Sequence, residues 1–321
     1  MLPSLYSLNS ADGKYHRGAA CLCGNFWEEV RKYDDGSISE KTLKKVQWYM
    51  ASGLFMSELL SAFYKEKITA EKQKACVYLG VLIALNDVLV DTYKMPYDKM
   101  IALTGSFYRP RNGIEKWVRF FYDKLWNLLT PQKRALFQKL SEDGIFWQSE
   151  SLKQLESSPE ENLVHKITAQ KGGISFLLFA SIFDNYDSRE EDMLFHLGAF
   201  VQYMNDAQDL FKDRCEGITT FVSYHHKTES VIDFLNIKWQ ECLGVIRHLK
   251  PLQQRDAFFI GFYFFLMFLG IKYKLSNYPK ELDSDSINEY LAKNERKVPS
   301  VSMKSVKAAC YILPRVLGFK L

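Results

Sequence analysis

Residues 77–93 read VYLGVLIALNDVLVDTY, an apolar run into which two carboxylates, Asp87 and Asp91, are set. Apolar residues fill every side of a 3.6-residue period, so the stretch predicts a helix over 76–93 that is buried all round. Residues four apart share one helix face. Burying an unpaired carboxylate is costly, and like charges at this spacing repel. A cation must therefore stand beside the pair. It is either a Lys or Arg of a neighbouring helix or a metal ion, and this stretch alone leaves both open.

A second acidic stretch weights that choice. Residues 198–217, GAFVQYMNDAQDLFKDRCEG, place Asn205, Asp209 and Asp213 at i, i+4 and i+8, with Asp206 beside them. On a helix these three form one stripe of oxygen donors. The largely apolar stretch before them, 194–204, argues against a solvated acidic face. An all-oxygen set suits a hard divalent ion and favours Mg²⁺ over zinc. Mg²⁺ keeps several waters and typically binds substrate phosphates through a few carboxylates. Two such helices facing each other would hold several Mg²⁺ ions and a diphosphate, and the metals would ease ionisation of a C–O bond.

Two basic features could grip that diphosphate. In HKITAQKGGISFLLFASIF, residues 165–183, Gly172 and Gly173 interrupt a helical pattern. Each costs about 1 kcal/mol relative to Ala, so they predict a helix break. A break exposes backbone N–H groups to an anion, with Lys171 beside it and Lys166 upstream. The plain alternative is a packing pair of glycines with solvated lysines. Near the N-terminus, Lys14 and Arg17 form a short basic cluster, whose alternative is a solvated tail.

The surrounding sequence is helical throughout. Apolar residues recur at helical spacing over 41–65, 114–129, 193–213 and 230–249, and Thr130-Pro131 reads as the cap and first position of a helix. No alternating strand and no Asn-Gly or Asp-Gly hairpin is evident. The expectation is an all-α single domain over 1–321, loop-rich at 1–12 and 277–300, with a last short helix at 301–316. The apolar run 257–271, AFFIGFYFFLMFLGI, falls short of the roughly 20 residues of a membrane span. It predicts a buried helix facing a greasy cavity, with a peripheral membrane contact as the weaker alternative.

Composition narrows the function classes. With 321 residues, 47% hydrophobic and 25% charged, the chain is not a disordered or low-complexity protein. Net charge is +4 with Lys and Arg scattered, so no nucleic-acid partner is expected. Of six cysteines only Cys21 and Cys23 are close, at a spacing unusual for zinc. No signal peptide is evident at the N-terminus, and the expected compartment is a reducing cytoplasm.

Together the motifs resemble those of class I isoprenoid synthases. Asn205, Asp209 and Asp213 resemble the second metal motif of that superfamily, and Asp87 with Asp91 its first aspartate-rich motif. Within it the chain is most similar to large-terpene synthases of the tetraprenyl-β-curcumene synthase type. The likeness is carried by KYHRGAACL at 14–22, LIALNDVLVD at 82–91, QKGGISFLLF at 170–179 and NDAQDLFKDRCEGITTF at 205–221. It implies an isoprenoid synthase helical bundle around a central cavity. It also implies a lyase that uses Mg²⁺, three ions by analogy, to cyclise a long prenyl diphosphate.

The metal ligands would be Asp87, Asp91, Asn205, Asp209 and Asp213. Lys171, Lys166, Arg17 and Lys14 would hold diphosphate. Phe176, Phe179, Phe258, Phe262 and Phe265 would offer aromatic faces to the cation, the last three on one helix face. Dimerisation is common in this fold, so a homodimer is among the expected partners. Ala84 stands where the first motif usually carries a further Asp, and Asn205 where the second commonly carries one. The absence of a fuller D-D-x-x-D argues against chain elongation. Gln202, three residues before Asn205, resembles squalene and phytoene synthases, which keeps head-to-head condensation as an alternative. A non-catalytic helical protein that binds a lipid or a partner is the other.

Overall fold

Local capping sets where several of the helices begin. The computed structural model describes residues 35–105, 107–249 and 251–293, together with 28, 32 and 33. Ser39 accepts from the Thr42 N–H (3.1 Å) to open α1 (Glu40–Tyr64), and Thr69 accepts from the Lys72 N–H (3.3 Å) to open α2 (Ala70–Asp91). Pro96 precedes α3 (Tyr97–Thr104), Asn112 caps α4 (Gly113–Leu128), and Pro131 occupies the first turn of α5 (Pro131–Glu150), as its sequence predicts. Then follow α6 (Glu161–Ala180), α7 (Glu191–Gln208), α8 (Leu210–Cys215), α9 (Thr228–Arg247), α10 (Pro251–Leu275) and α11 (Ser284–Lys293). Among the described residues there is no strand, and the class is all-α, as the periodicity predicts.

The chain divides into two compact units. One comprises Met1–Lys153 and Gly173–Glu191, the other Gln154–Gly172 and Asp192–Leu321, so the division falls within α6.

In the first unit α1 and α2 run antiparallel with their backbones in contact. A Cβ on Gly53 would lie 2.3 Å from the Cys76 carbonyl oxygen, and one on Gly80 2.2 Å from that of Tyr49. Only glycine permits that approach, which accounts for two glycines inside long helices. α2 also packs on α4 and α5, and α3 on α4 and α5, around the fully buried Leu79, Leu85, Leu89, Trp117, Phe121 and Phe137. By length and composition α2 is the one helix among the described residues apolar enough to cross a membrane, yet 67% of its apolar 18-residue window is buried within the protein. A clasp closes this unit: the Lys72 ammonium bonds Glu66 and Asp184 (2.6 Å to the latter), and Lys133 bonds Asp184 (2.5 Å) and the Ile182 carbonyl (2.6 Å).

In the second unit Phe200 packs its ring 5.5 Å from Trp239 and 5.6 Å from Phe268, joining α7, α9 and α10. A second aromatic group joins His165 of α6, Tyr203 of α7, Phe221 in the turn before α9 and Phe234 of α9, with Phe221 stacked on Phe234 at 4.7 Å.

Four sequence expectations need correction. The run 257–271 is helical but not buried all round. Ala257, Ile260, Phe264, Met267, Phe268 and Ile271 are buried, while Phe258 is 45% exposed and Leu269 is exposed too. A run apolar on every side carries no phase information. The stretch 277–300, expected to be loop-rich, contains α11. Asp283 accepts from the Ser286 N–H (2.7 Å), and Tyr290 stacks on Phe211 at 5.0 Å. Its polar composition conceals a capped helix with a short apolar face. The helix expected over 193–213 is two helices, α7 and α8, separated at Asp209 (φ −89°, ψ 6°). Finally, α6 runs unbroken through Gly172 and Gly173. The expectations for 1–12 and 301–316 fall outside the described residues.

Candidate functional site

The first carboxylate pair belongs to the first unit and is answered from α1. The Tyr49 hydroxyl donates to Asp87 Oδ2 at 3.0 Å. Lys45 Nζ stands 3.3 Å from Asp87 Oδ2 and 4.0 Å from Asp91 Oδ2, and Gln148 of α5 donates to Asp91 Oδ1 at 3.4 Å. This is a two-rung ladder. Lys45 and Tyr49 are four residues apart on α1, and Asp91 and Asp87 are four apart on the antiparallel α2. The cation that the sequence demanded is therefore present as a lysine of a neighbouring helix. The pair sits at an edge of the helix packing rather than inside it: the Asp87, Lys45 and Asp91 side chains are 16%, 32% and 56% exposed. Sequence reading missed Lys45 and Tyr49. Their own four-residue spacing, matched to the Asp spacing, was the available signal.

The second group belongs to the second unit. Asn205 lies half-buried on α7, Asp209 at the break, and Asp213, buried, on α8. The hydrogen-bond ladder survives the break, since the Asp209 N–H donates to the Asn205 carbonyl (2.9 Å) and the Asp213 N–H to that of Asp209 (2.8 Å). The expected stripe is thus kept through a local distortion. Lys212 Nζ stands 3.5 Å from Asp209 Oδ2, 3.8 Å from Asp213 Oδ1 and 4.0 Å from Glu216 Oε2. Burial pushes the Asp213 carboxyl up to about 8; Asp206 and Asp209 add to the rise, and Lys212 opposes it.

Asp206 is the deepest acid of this region. Gln202 donates to its Oδ1 (2.8 Å) and Thr168 of α6 to its Oδ2 (2.9 Å). Burial raises its carboxyl to about 6 against those two hydrogen bonds and the charge of Lys171. Gln202, expected in a substrate pocket, thus spends its amide on Asp206.

The helix break expected at Gly172-Gly173 is absent, so α6 is continuous there and offers no free N–H groups of a helix end. Gly172 serves packing instead. A Cβ there would lie 2.3 Å from the Gly198 carbonyl oxygen and 2.7 Å from Gln202 Cβ, so α6 and α7 meet backbone to backbone. Lys171 is half-buried near Asp206, and Lys166 is exposed. Lys14 and Arg17 lie outside the described residues. Phe176 and Phe179 are buried in the first unit. Phe262 and Phe265 are half-buried on α10, with Phe265 stacked on Trp239 at 5.5 Å.

Among the described residues no three His, Cys, Asp or Glu side chains converge as a metal-holding group. What each region offers is two or three oxygens directed at one ammonium. Carboxylate oxygens suit a hard cation, and Mg²⁺ is commonly held by only one or two carboxylates with water and phosphate completing its shell. On that chemistry the residues fit the ion. No family model matches the chain, and no curated protein matches it.

Proposed function

We propose that the protein is a Mg²⁺-dependent class I terpene synthase that ionises a long-chain prenyl diphosphate and cyclises the cation, releasing diphosphate. The observation that supports this reading is that the carboxylates of each acidic motif converge on one ammonium, Asp87 and Asp91 on Lys45, and Asp209 and Asp213 on Lys212. Asp87 and Asp91, with Asn205, Asp209 and Asp213, are the ligands in this reading. Bound Mg²⁺ supplies charge neutralisation on the diphosphate as its C–O bond breaks and the electron pair leaves with oxygen. Tyr49 and Gln148 keep the first pair oriented. Lys166 and Lys171 add positive charge for the diphosphate from α6. Aromatic faces such as Phe262 and Phe265 stabilise the carbocation by cation–π attraction, and loss of a proton or capture of water ends the reaction.

The test is release of diphosphate from prenyl diphosphates of ten to thirty-five carbons, with Mg²⁺ and with chelator. Mg²⁺-dependent release from at least one substrate is expected. A folded protein that releases none would contradict the proposal. A second reading has its own support: Lys45 and Lys212 already stand against the two acidic groups, and α6 is unbroken where an anion site was expected. On that reading the chain is a non-catalytic helical protein, and Mg²⁺ with diphosphate leaves its melting temperature unchanged.

A further inference from the structure

We propose that Lys45 is the resident counter-ion of Asp87 and Asp91, held until a divalent cation displaces it, and that it thereby sets how tightly this pair takes the metal. The inference rests on the reading of the pair as a Mg²⁺ site.

The fold fixes where Lys45 stands. Contact of the α1 and α2 backbones at Gly53 and Gly80 sets the antiparallel register, and that register brings Tyr49 to Asp87 and Lys45 to both carboxylates. One ammonium spanning two acids removes the repulsion that their spacing would otherwise create.

Two kinds of lysine–aspartate pairing occur in the first unit, and Lys45 is of the loose kind. Lys133 bonds Asp184 at 2.5 Å and a backbone carbonyl at 2.6 Å, with its side chain only 18% exposed. It is fixed by two short bonds. Lys45 lies at 3.3 and 4.0 Å from its partners, which is ion-pair rather than close hydrogen-bond range, and is a third exposed. A lysine head on a flexible four-carbon stem can turn to water while the stem stays packed. Tyr49 remains on Asp87 when it does. The arrangement keeps the carboxylates together without metal and yields them when a dication arrives.

The experiment is thermal melting of the full chain during titration with Mg²⁺ alone, for wild type, Lys45→Met, Lys45→Arg and Lys45→Met with Asp87→Asn. Lys45→Met should melt lower than wild type without metal. Its stabilisation by Mg²⁺ should saturate at a concentration on the order of tenfold lower, because a unit charge near the ion and its competition are both gone. Lys45→Arg should keep the wild-type midpoint, and Asp87→Asn should remove the gain. An equal or higher midpoint in Lys45→Met, or no Mg²⁺ response in any form, overturns the proposal. Should Lys45→Met fail to fold, Lys45→Gln carries the same expectation.

Diphosphate release by wild type separates the two readings. Turnover with an unshifted Lys45→Met midpoint refutes the counter-ion alone. A shifted midpoint without turnover of any prenyl diphosphate refutes the synthase and leaves the counter-ion standing.

Discussion

The two acidic regions solve the same electrostatic problem in different ways. Asp87 and Asp91 sit on an undistorted helix, at an edge of the packing, and take their cation from a second helix whose register is locked by glycine contacts. Asp209 lies at a break and Asp213, buried, just beyond it, and both take theirs from Lys212 within the same turns. The first region is settled by tertiary geometry. The second carries an unrelieved cost of burial, seen in the raised carboxyls of Asp206 and Asp213. A divalent cation would therefore change the second region more, by allowing buried acids to ionise, whereas in the first it would replace one cation by another.

The largest expected effect breaks the comparison outright. Asp87→Ala and Asp209→Ala should each lower Mg²⁺-dependent diphosphate release by about a hundredfold or more, as loss of a metal ligand does. If only one of them does, the regions are not two halves of one chemistry. Next come the glycine contacts. Gly80→Ala and Gly172→Ala each drive a Cβ into a backbone oxygen that cannot yield as a side chain would. Each should destabilise by about 1–3 kcal/mol in chemical denaturation, and Gly80→Ala alone should also abolish the Lys45 dependence of Mg²⁺ stabilisation.

A smaller effect probes the second region. Thr168→Val removes one of the two donors to buried Asp206 and should cost about 1–2 kcal/mol. Asp206→Asn should remove whatever pH dependence this raised carboxyl adds. The smallest effect is in the slope of stability with pH. Asp213 has its folded carboxyl raised from 3.8 to about 8, so the folded chain holds this proton where the unfolded one has released it. Its contribution is complete below about 4 and is lost as pH rises through about 8. Metal-free Asp213→Asn should therefore gain stability relative to wild type as pH rises across that window, and Mg²⁺ should shrink the gain. His165 and His225, lowered mainly by burial, act oppositely, losing stability as pH falls below 6.5, and cancel in this comparison because both proteins carry them.

The helical class and several helix starts were legible because they are local. The 3.6-residue period, Thr130-Pro131 and the apolar phases of 41–65 and 114–129 need no partner to be read. The need for a cation beside Asp87 and Asp91 was legible for the same reason. Its identity was not, because Lys45 reaches them only through the α1–α2 register. Gly172 shows the converse. Helix propensity alone favours a break there, and a tertiary contact with Gly198 overrides it. For α10 the helix is where the sequence put it, but an all-round apolar run cannot say that Phe258 faces outward while Phe264 is buried.

The most direct test of the synthase reading is mass spectrometry of the extract after wild-type protein, Mg²⁺ and prenyl diphosphates of ten to thirty-five carbons are incubated together. The account predicts a cyclic hydrocarbon or alcohol with the carbon number of its substrate. A product of doubled carbon number, or unchanged substrate with the protein folded throughout, would contradict it.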